Sequence, residues 1–349
     1  MLPSAAKVAT FCNGFSRGAS CVYPARATGE PAIMNQNKPA ILSLVELLPF
    51  VETWLDDAFI VHRLWQAPDR EAELARVRNL VRGIASFGHE KVGGPLLDKL
   101  PLVKIVSLMS VGFDAIDLPA LAARGVALTN TPDVLTDDVA DLALALLIAA
   151  SRRIVAGDKY VRAGRWPKEG HMALAGAIRG KTVAILGLGR IGAAIAQRGA
   201  AFGLKVIYGG RTRRTDVPWT YVGDLVELAR AADFFVIAIP GGSATRHMVG
   251  AKVIEALGAK GTLINIARGS VVDQAALVAA LVSGRLGGAA LDVFDDEPNV
   301  PEALFALDNV VLQPHVGSAT TETRSKMGRL MIDNLLAHFA GRPLLTPVK

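Results

Sequence analysis

The sequence predicts an α/β protein with two parallel-sheet units. Two regions, one beginning near residue 39 and one near residue 182, alternate short apolar runs with helical patterns. Such alternation is typical of βαβ units. The chain has 349 residues, which is enough for two domains of about 100–200 residues each. A glycine-rich turn follows the first apolar run of the second region.

In the first region, five apolar runs predict strands, and helical patterns lie between them. The predicted strands are 40–44, 59–64, 81–87, 103–109 and 126–130, and the predicted helices are 71–78 and 118–124. One long helix is predicted from about residue 134 to 155. Turn chemistry at 129–133 precedes it, and early aspartates suit the N-terminal half of a helix.

An irregular stretch, 164–180, separates the two regions. The strands predicted in the second region are 182–186, 205–208, 234–239, 262–266, 288–293 and 310–312, and the helices between them are 190–202, 223–231, 252–257 and 273–283. The last helix is predicted from about Thr320 to Ala340, because Gly341 and Pro343 follow it.

Composition and charge exclude several classes of protein. Lys and Arg number 38 against 32 Asp and Glu, but the excess is scattered apart from a cluster at 211–214, so we expect no nucleic-acid partner. The longest apolar segment, 139–150, is interrupted by Asp141 and is shorter than the roughly 20 residues of a membrane span. The two cysteines, Cys12 and Cys21, lie near the N-terminus. We therefore expect no metal site, no membrane partner and a cytoplasmic protein.

Residues 1–38 differ from the rest, and we expect a disordered or spurious N-terminal extension. The first acidic residue is Glu30, and no apolar segment precedes a cleavage site, so a secretory signal is not predicted. Enrichment in Ser, Ala and Arg resembles a transit peptide. A transit peptide is therefore the alternative, whereas a spurious extension would mean that translation begins at Met34 rather than at Met1.

The glycine-rich turn predicts a dinucleotide site. Residues 181–192 place G-x-G-x-x-G between an apolar strand and an alanine-rich helix. Gly187 permits the tight turn, Gly189 lets the backbone approach a pyrophosphate, and Gly192 allows close helix–strand packing. The alternative is a glycine-rich turn with a packing role only.

The end of the next strand favours NADP over NAD. An NAD site has an Asp or Glu about 20 residues after the turn to bind the ribose 2′-hydroxyl, but no acid occurs before Asp216. Arg211, Thr212 and Arg213 stand there instead, and a guanidinium can bind a 2′-phosphate through two hydrogen bonds. NAD remains possible as a weaker cofactor, and a solvated basic loop is the alternative.

Three polar residues follow predicted strands and suit the reduction of a carbonyl group. Arg268 can clamp a carboxylate and polarise the adjacent keto oxygen. His315 can donate a proton to that oxygen, and Glu297 can orient its ring and stabilise its charge. Taken singly, each has a structural alternative: an ion-pair partner, a hydrogen-bonded structural histidine and a solvated surface carboxylate.

Several ordered motifs carry a resemblance that covers residues 39–345. They are 110–118, 129–132, 139–141, 186–192, 265–269, 271–273, 289–294 and 314–317. These motifs resemble the D-isomer-specific 2-hydroxyacid dehydrogenase family, and most of all its bacterial NADPH-dependent glyoxylate/hydroxypyruvate reductases. The catalytic Arg, Glu and His of that family match Arg268, Glu297 and His315.

The resemblance implies two Rossmann-like or flavodoxin-like domains with a cleft between them. The substrate-binding domain would comprise 39–132 plus 317–349, and the NAD(P)-binding domain 133–316. A homodimer would form through the cofactor domains and the arm at 140–180. Trp166 on that arm would reach the partner's substrate pocket, the alternative being a packed arm residue.

The resemblance also implies an activity and a set of binding residues. The activity is NADPH-dependent reduction of small 2-keto acids, glyoxylate and hydroxypyruvate, to D-2-hydroxy acids. A broader 2-keto acid reductase, such as a hydroxyphenylpyruvate reductase, and a dinucleotide-sensing binding protein are the alternatives. The implied substrate-binding residues are Phe87, Gly88, Val111 and Gly112, together with Arg268 and His315. The further implied cofactor-binding residues are Leu188, Arg190, Ile191, Pro240, Ala267, Asp292 and Gly317.

Overall fold

The computed structural model describes residues 38–348. The expected disordered or spurious extension at residues 1–38 therefore lies outside the described residues, apart from residue 38. The first α/β unit contains a five-stranded, wholly parallel sheet in the order β2-β1-β3-β4-β5. Its strands are β1 (Ala40–Ser43), β2 (Ile60–Arg63), β3 (Gly83–Ser86), β4 (Ile105–Leu108) and β5 (Ala127–Thr129). Each lies within a predicted strand.

Four helices connect these strands, and two of them were not predicted. They are α1 (Pro49–Ala58), α2 (Arg70–Val77), α3 (Gly94–Lys99) and α4 (Leu118–Ala123). The two missed helices, α1 and α3, have a proline in the first turn, where the missing N–H costs nothing. Asp69 and Asp117 cap the two predicted helices by accepting from backbone amides of the first turn.

The prediction of one continuous helix from 134 to 155 was wrong. The structure has two helices there, α5 (Thr136–Ser151) and α6 (Ile154–Arg162). Arg153 separates them with a left-handed φ of 54°, which ends the i to i−4 hydrogen-bond ladder of α5. A short helix, α7 (Trp166–Glu169), also lies within the stretch expected to be irregular.

The second unit contains a seven-stranded, wholly parallel sheet in the order β12-β11-β10-β9-β6-β7-β8. Its strands are β6 (Thr182–Leu186), β7 (Lys205–Gly209), β8 (Thr220–Tyr221), β9 (Phe234–Ile237), β10 (Thr262–Asn265), β11 (Gly288–Leu291) and β12 (Val310–Leu312). Its helices are α8 (Arg190–Ala201), α9 (Leu225–Arg230), α10 (Ala251–Leu257) and α11 (Gln274–Val282). Only the two-residue edge strand β8 was not predicted.

The last helix, α12 (Thr321–Phe339), returns to the first sheet. The Ser107 hydroxyl of β4 donates to the carbonyl of Met331 over 3.0 Å. Beyond the helix, the Val348 amide donates to the carbonyl of Leu128 in β5 over 2.8 Å. Chain segments on both sides of the second unit therefore complete the first one. Within residues 38–348, no helix is long and apolar enough to cross a membrane.

Both sheets have a point at which their strand order reverses. In the first sheet it lies between β1 and β3, and in the second between β6 and β9. Ligands of open α/β sheets bind in the crevice outside the carboxyl ends of the strands at such points. The loops after β3 and β6 are therefore the candidate binding sites for substrate and cofactor.

Candidate active site

His315 and Glu297 form a hydrogen-bonded pair. Nδ1 of His315 lies 2.7 Å from Oε2 of Glu297, and both side chains are about 30% exposed. The other carboxylate oxygen accepts from the Phe294 amide over 3.0 Å. Burial alone would raise the pKa of Glu297, but the hydrogen bonds from His315 and Phe294 outweigh it and hold the pKa below its ordinary value. The carboxylate therefore stays ionised beside the imidazole, whose Nε2 is directed away from this contact.

The loop that carries His315 is attached to the buried end of β11. Asp292 is 1% exposed, and its carboxylate accepts from the amides of Val316 and Gly317 over 2.8 and 2.9 Å. The His315 amide donates to the Asp292 carbonyl over 2.8 Å, and His315 itself has a left-handed φ of 54°. Burial raises the pKa of Asp292, although both amide donors act against it. Asp292 thus holds the histidine loop with both carboxylate oxygens.

Arg268 follows β10 and is held by a residue of the first unit. Its Nε donates to Oδ2 of Asp114 over 2.8 Å, and Nη1 donates to the carbonyl of Ala267 over 2.7 Å. Nη2 lies so close to Gly112 that a Cβ there would approach it to 1.6 Å. A glycine at position 112 is therefore necessary for this arrangement, and the sequence motif that contains Gly112 also supplies Asp114.

The predicted substrate-binding residues form two touching loops after β3 and β4. Gly88 has a φ of +89°, and a Cβ there would lie 2.3 Å from the Ser110 hydroxyl oxygen. That hydroxyl donates to the carbonyl of Gly112 over 2.7 Å, and the Val111 carbonyl accepts from the Asn130 side chain over 2.9 Å. The structure therefore brings Phe87, Gly88, Val111 and Gly112 to one edge of the first sheet, beside Arg268.

His89 is a residue of this site that the sequence analysis missed. Its ring meets that of His315 edge to face, with centroids 5.5 Å apart, and it stacks with Phe87 at 6.1 Å. Its position directly after Phe87 and Gly88 could have indicated it. Asp114 was also missed as a site residue, because its partner Arg268 lies 154 positions away along the chain.

The glycine-rich turn fits a dinucleotide pyrophosphate. Gly187 has a φ of +98°, and a Cβ there would lie 2.6 Å from Ile239, whereas a Cβ on Gly192 would lie 1.9 Å from the Gly187 carbonyl oxygen. A Cβ on Gly189, in contrast, would meet no atom within 4 Å. Gly189 is the N-cap of α8, and no side chain in the described part of the chain caps this helix. The start of α8 therefore offers open space and backbone amides that no side chain caps, which suits a bound phosphate.

The loop after β7 presents free cations. Arg211, Thr212 and Arg213 are exposed, and no hydrogen bond within residues 38–348 involves their side chains. The loop is nevertheless anchored, because the Tyr208 hydroxyl donates to the Arg214 carbonyl over 3.0 Å and accepts from the Arg214 amide over 2.8 Å. The Arg214 side chain binds the Asp216 carboxylate, so it holds the loop and leaves its neighbours to solvent.

The remaining predicted cofactor residues lie at the same carboxyl edge. Leu188 and Ile191 belong to the glycine-rich turn, Pro240 follows β9, and Ala267 follows β10. The Arg190 side chain forms an ion pair with Asp133, with Nε 2.5 Å from Oδ1. Gly317 packs against the Asp292 carboxylate, since a Cβ added to this glycine would lie 3.1 Å from Oδ2 of Asp292.

The chain is similar to known proteins at the levels of family, sequence and structure. The protein-family model described as "D-isomer specific 2-hydroxyacid dehydrogenase, NAD binding domain" matches residues 144–317. Glyoxylate/hydroxypyruvate reductase A of Arabidopsis thaliana is 48% identical over 308 residues, which cover 88% of this chain and 98% of the relative. Hydroxyphenylpyruvate reductase of Plectranthus scutellarioides is 49% identical, with the same coverage.

Solved structures give the same result. The NADPH-dependent glyoxylate/hydroxypyruvate reductase of Sinorhizobium meliloti, crystallised with NADP and malonate, has a TM-score of 0.84 and 45% identity. The match covers 89% of this chain and 97% of that one. These findings confirm the two parallel-sheet α/β domains and the family that the sequence motifs predicted. The chain belongs to the D-isomer specific 2-hydroxyacid dehydrogenase family.

Proposed function

We propose that this protein uses NADPH to reduce small 2-keto acids, such as glyoxylate and hydroxypyruvate, to D-2-hydroxy acids. The observation that carries the proposal is the His315–Glu297 pair, with its 2.7 Å hydrogen bond, on the same sheet edge as Arg268. A proton donor and a carboxylate-binding group side by side suit the reduction of a keto group next to a carboxylate. The printed activities of the Arabidopsis and Sinorhizobium relatives support this substrate class.

Each residue of this group has a distinct task in the proposed reaction. Arg268 binds the substrate carboxylate through donors not engaged by Asp114 and Ala267, and its charge polarises the keto oxygen. His315 donates a proton from Nε2 to that oxygen, while Glu297 holds the imidazole through Nδ1 and stabilises its positive charge. Backbone amides near Gly88 and Gly112 complete the carboxylate site. When bound, the nicotinamide supplies the hydride that reaches the keto carbon.

The cofactor preference follows from the loop after β7. A 2′-phosphate on the ribose needs cations that are not already paired, and Arg211 and Arg213 meet this condition within the described part of the chain. Thr212 offers a further hydrogen bond. The relative from Sinorhizobium, described as NADPH-dependent and solved with NADP, supports the same preference. NADH remains a weaker alternative.

A cavity beside Phe87 favours a second candidate, the reduction of a larger 2-keto acid such as hydroxyphenylpyruvate. The cavity has a volume of about 330 Å³ and contacts the first turn of α12. It is lined by Leu48, Phe50, Phe87, Ala319, Thr320, Thr321 and Arg324. The apolar side of this cavity, formed by Leu48, Phe50 and Phe87, can accept an aromatic ring. The relative from Plectranthus is described as a hydroxyphenylpyruvate reductase.

The domain division, the assembly and the compartment are parts of the same proposal. The substrate-binding domain comprises 39–132 plus 317–349, the NAD(P)-binding domain comprises 133–316, and the cleft between them closes over the substrate.

A homodimer forms through the arm at 140–180. The exposed apolar residues of this arm that support such a contact are Ile154, Val161, Trp166 and Leu174. Trp166 reaches the pocket of the partner in that assembly. The compartment is cytoplasmic.

The activity itself is tested by steady-state reduction of hydroxypyruvate, glyoxylate and hydroxyphenylpyruvate, with NADPH and NADH compared under identical conditions. We expect the highest kcat/KM with hydroxypyruvate or glyoxylate and NADPH. A clear preference for hydroxyphenylpyruvate would establish the second candidate. Absence of turnover with the whole panel would contradict both.

Replacing Arg268 by Ala should lower kcat and raise KM together, because this side chain acts in both the bound substrate and the transition state. We expect kcat/KM for hydroxypyruvate to fall about 100-fold or more. Arg268→Lys, which keeps the charge but not the planar fork, should lose less. An unchanged kcat/KM in Arg268→Ala would refute the assigned role.

Replacing Glu297 by Gln should move the basic limb of the pH profile for reduction to lower pH. The variant removes the anionic partner of protonated His315, so the proton donor is lost at a lower pH, and kcat should fall about tenfold or more. The pKa of Glu297 lies below its ordinary value because of the hydrogen bonds from His315 and Phe294, so the wild-type carboxylate is ionised around neutral pH. The measurement is kcat/KM from pH 5 to 10, and an unmoved basic limb would argue against the pair.

Replacing Arg211 by Ala should raise the KM for NADPH about 10- to 100-fold, since hydrogen bonds to charged groups are the stronger ones. The KM for NADH should stay near its wild-type value, because NADH lacks the 2′-phosphate. Arg78→Ala, at an exposed arginine outside this loop, is the matched control. Equal changes with the two cofactors would show that Arg211 does not recognise the phosphate.

A further inference from the structure

His89 stands beside the proposed proton donor, yet the reaction described above does not use it. Its ring meets the His315 ring at 80° with centroids 5.5 Å apart. It lies in the loop after β3, which flanks the point where the strand order of the first sheet reverses. Ligand-contacting side chains concentrate at such points. His89 thus occupies a wall of the substrate site.

The loop holds this ring in a defined place. Gly88 has a φ of +89°, and its close approach to Ser110 leaves no room for a side chain. The Gly88 amide donates to the Ser86 hydroxyl over 3.0 Å, and that hydroxyl donates to the Glu90 carboxylate. The His89 ring stacks with Phe87 at an interplanar angle of 14°. Phe87 in turn contacts the Arg324 guanidinium, 4.7 Å from its ring centroid.

The ring nitrogens of His89 are available to a ligand. The side chain is exposed, and none of the hydrogen bonds made within residues 38–348 involves its imidazole. The groups around the ring displace part of its hydration, and this desolvation, together with the charges of His315 and Arg268, lowers the pKa of His89 against the opposing effect of Glu90 and Glu297. At neutral pH the ring is therefore uncharged and offers one donor and one acceptor.

A hydroxyl group is the chemical complement of such a ring. A hydroxyl both donates and accepts, whereas a methyl group offers an imidazole no hydrogen-bond partner. In the proposed reaction Arg268 holds the carboxylate and His315 faces the keto oxygen, so the third substituent of the keto carbon must be accommodated by the remaining wall of the site, the loop after β3. The neighbouring ring on that side is His89.

We propose that His89 is a specificity-determining residue whose imidazole hydrogen-bonds a hydroxyl group on the carbon next to the keto carbon. This inference rests on the proposed function and names hydroxypyruvate, of its two small substrates, as the one that His89 recognises. The residue selects the substrate and takes no part in proton transfer. Its removal therefore affects hydroxylated substrates and spares their deoxy analogues.

The test compares hydroxypyruvate with pyruvate, which has the same carbon skeleton without the hydroxyl group. His89→Phe keeps a ring beside His315 and Phe87 but loses both nitrogens. We expect its kcat/KM to fall about tenfold for hydroxypyruvate, the effect of one lost hydrogen bond, and to change less than about twofold for pyruvate. His89→Gln, which keeps a donor and an acceptor, should recover part of the loss.

Controls separate this role from a structural one. His338→Phe makes the same exchange near the end of α12 and should leave the ratio of the two kcat/KM values unchanged. Equal losses for both substrates in His89→Phe, or no loss for either, would overturn the inference alone. A wild-type protein inactive on the keto-acid panel would overturn the proposed function and this inference with it. Should His89→Phe fail to fold, as judged by thermal unfolding and NADPH binding, His89→Leu carries the same comparison.

Discussion

The active site depends on one buried carboxylate, that of Asp292. It joins the end of β11 to the loop that follows β12, because its two oxygens accept from the Val316 and Gly317 amides. A buried carboxylate destabilises the fold unless it is hydrogen-bonded. The bonds from these two amides therefore stabilise the fold and at the same time hold the histidine loop in place. His315, in the same loop, adopts a left-handed backbone conformation. The resemblance places Asp292 among the cofactor-binding residues as well, and that role stays a prediction.

Both close packing and an ion pair fix the position of Arg268. Its guanidinium fills the space that a side chain at Gly112 would occupy, and its Nε is bound by Asp114. Both residues belong to the loop after β4, in the first unit, while Arg268 follows β10 in the second. The ion pair therefore links the two sheets at the site. The guanidinium donors that Asp114 and Ala267 leave unengaged are the ones that the proposed function assigns to the substrate carboxylate.

Much of this arrangement could be predicted from the sequence. The periodicity of apolar runs identified eleven of the twelve strands, and the strand ends at Arg268, Glu297 and His315 predicted that these residues share one edge. What failed has physical reasons. Nothing in the apolar pattern at 134–155 signals that Arg153 adopts a left-handed conformation, since the hydrophobic period continues into α6. The contacts of Asp114 and His89 depend on tertiary packing between loops far apart in sequence, which local patterns do not record.

The distribution of the site over two sheets has a consequence for specificity. The groups proposed for proton transfer, His315 and Glu297, follow strands of the seven-stranded sheet, as does the glycine-rich turn, so one rigid element sets their geometry relative to the cofactor. The groups proposed to face the rest of the substrate, Phe87 and His89, follow a strand of the five-stranded sheet. Substitutions on this second set can change which substrate is accepted without disturbing the chemistry, because the side chains that reach the distal substituent are not the ones that align donor and acceptor. The fold therefore separates the reaction from the choice of keto acid.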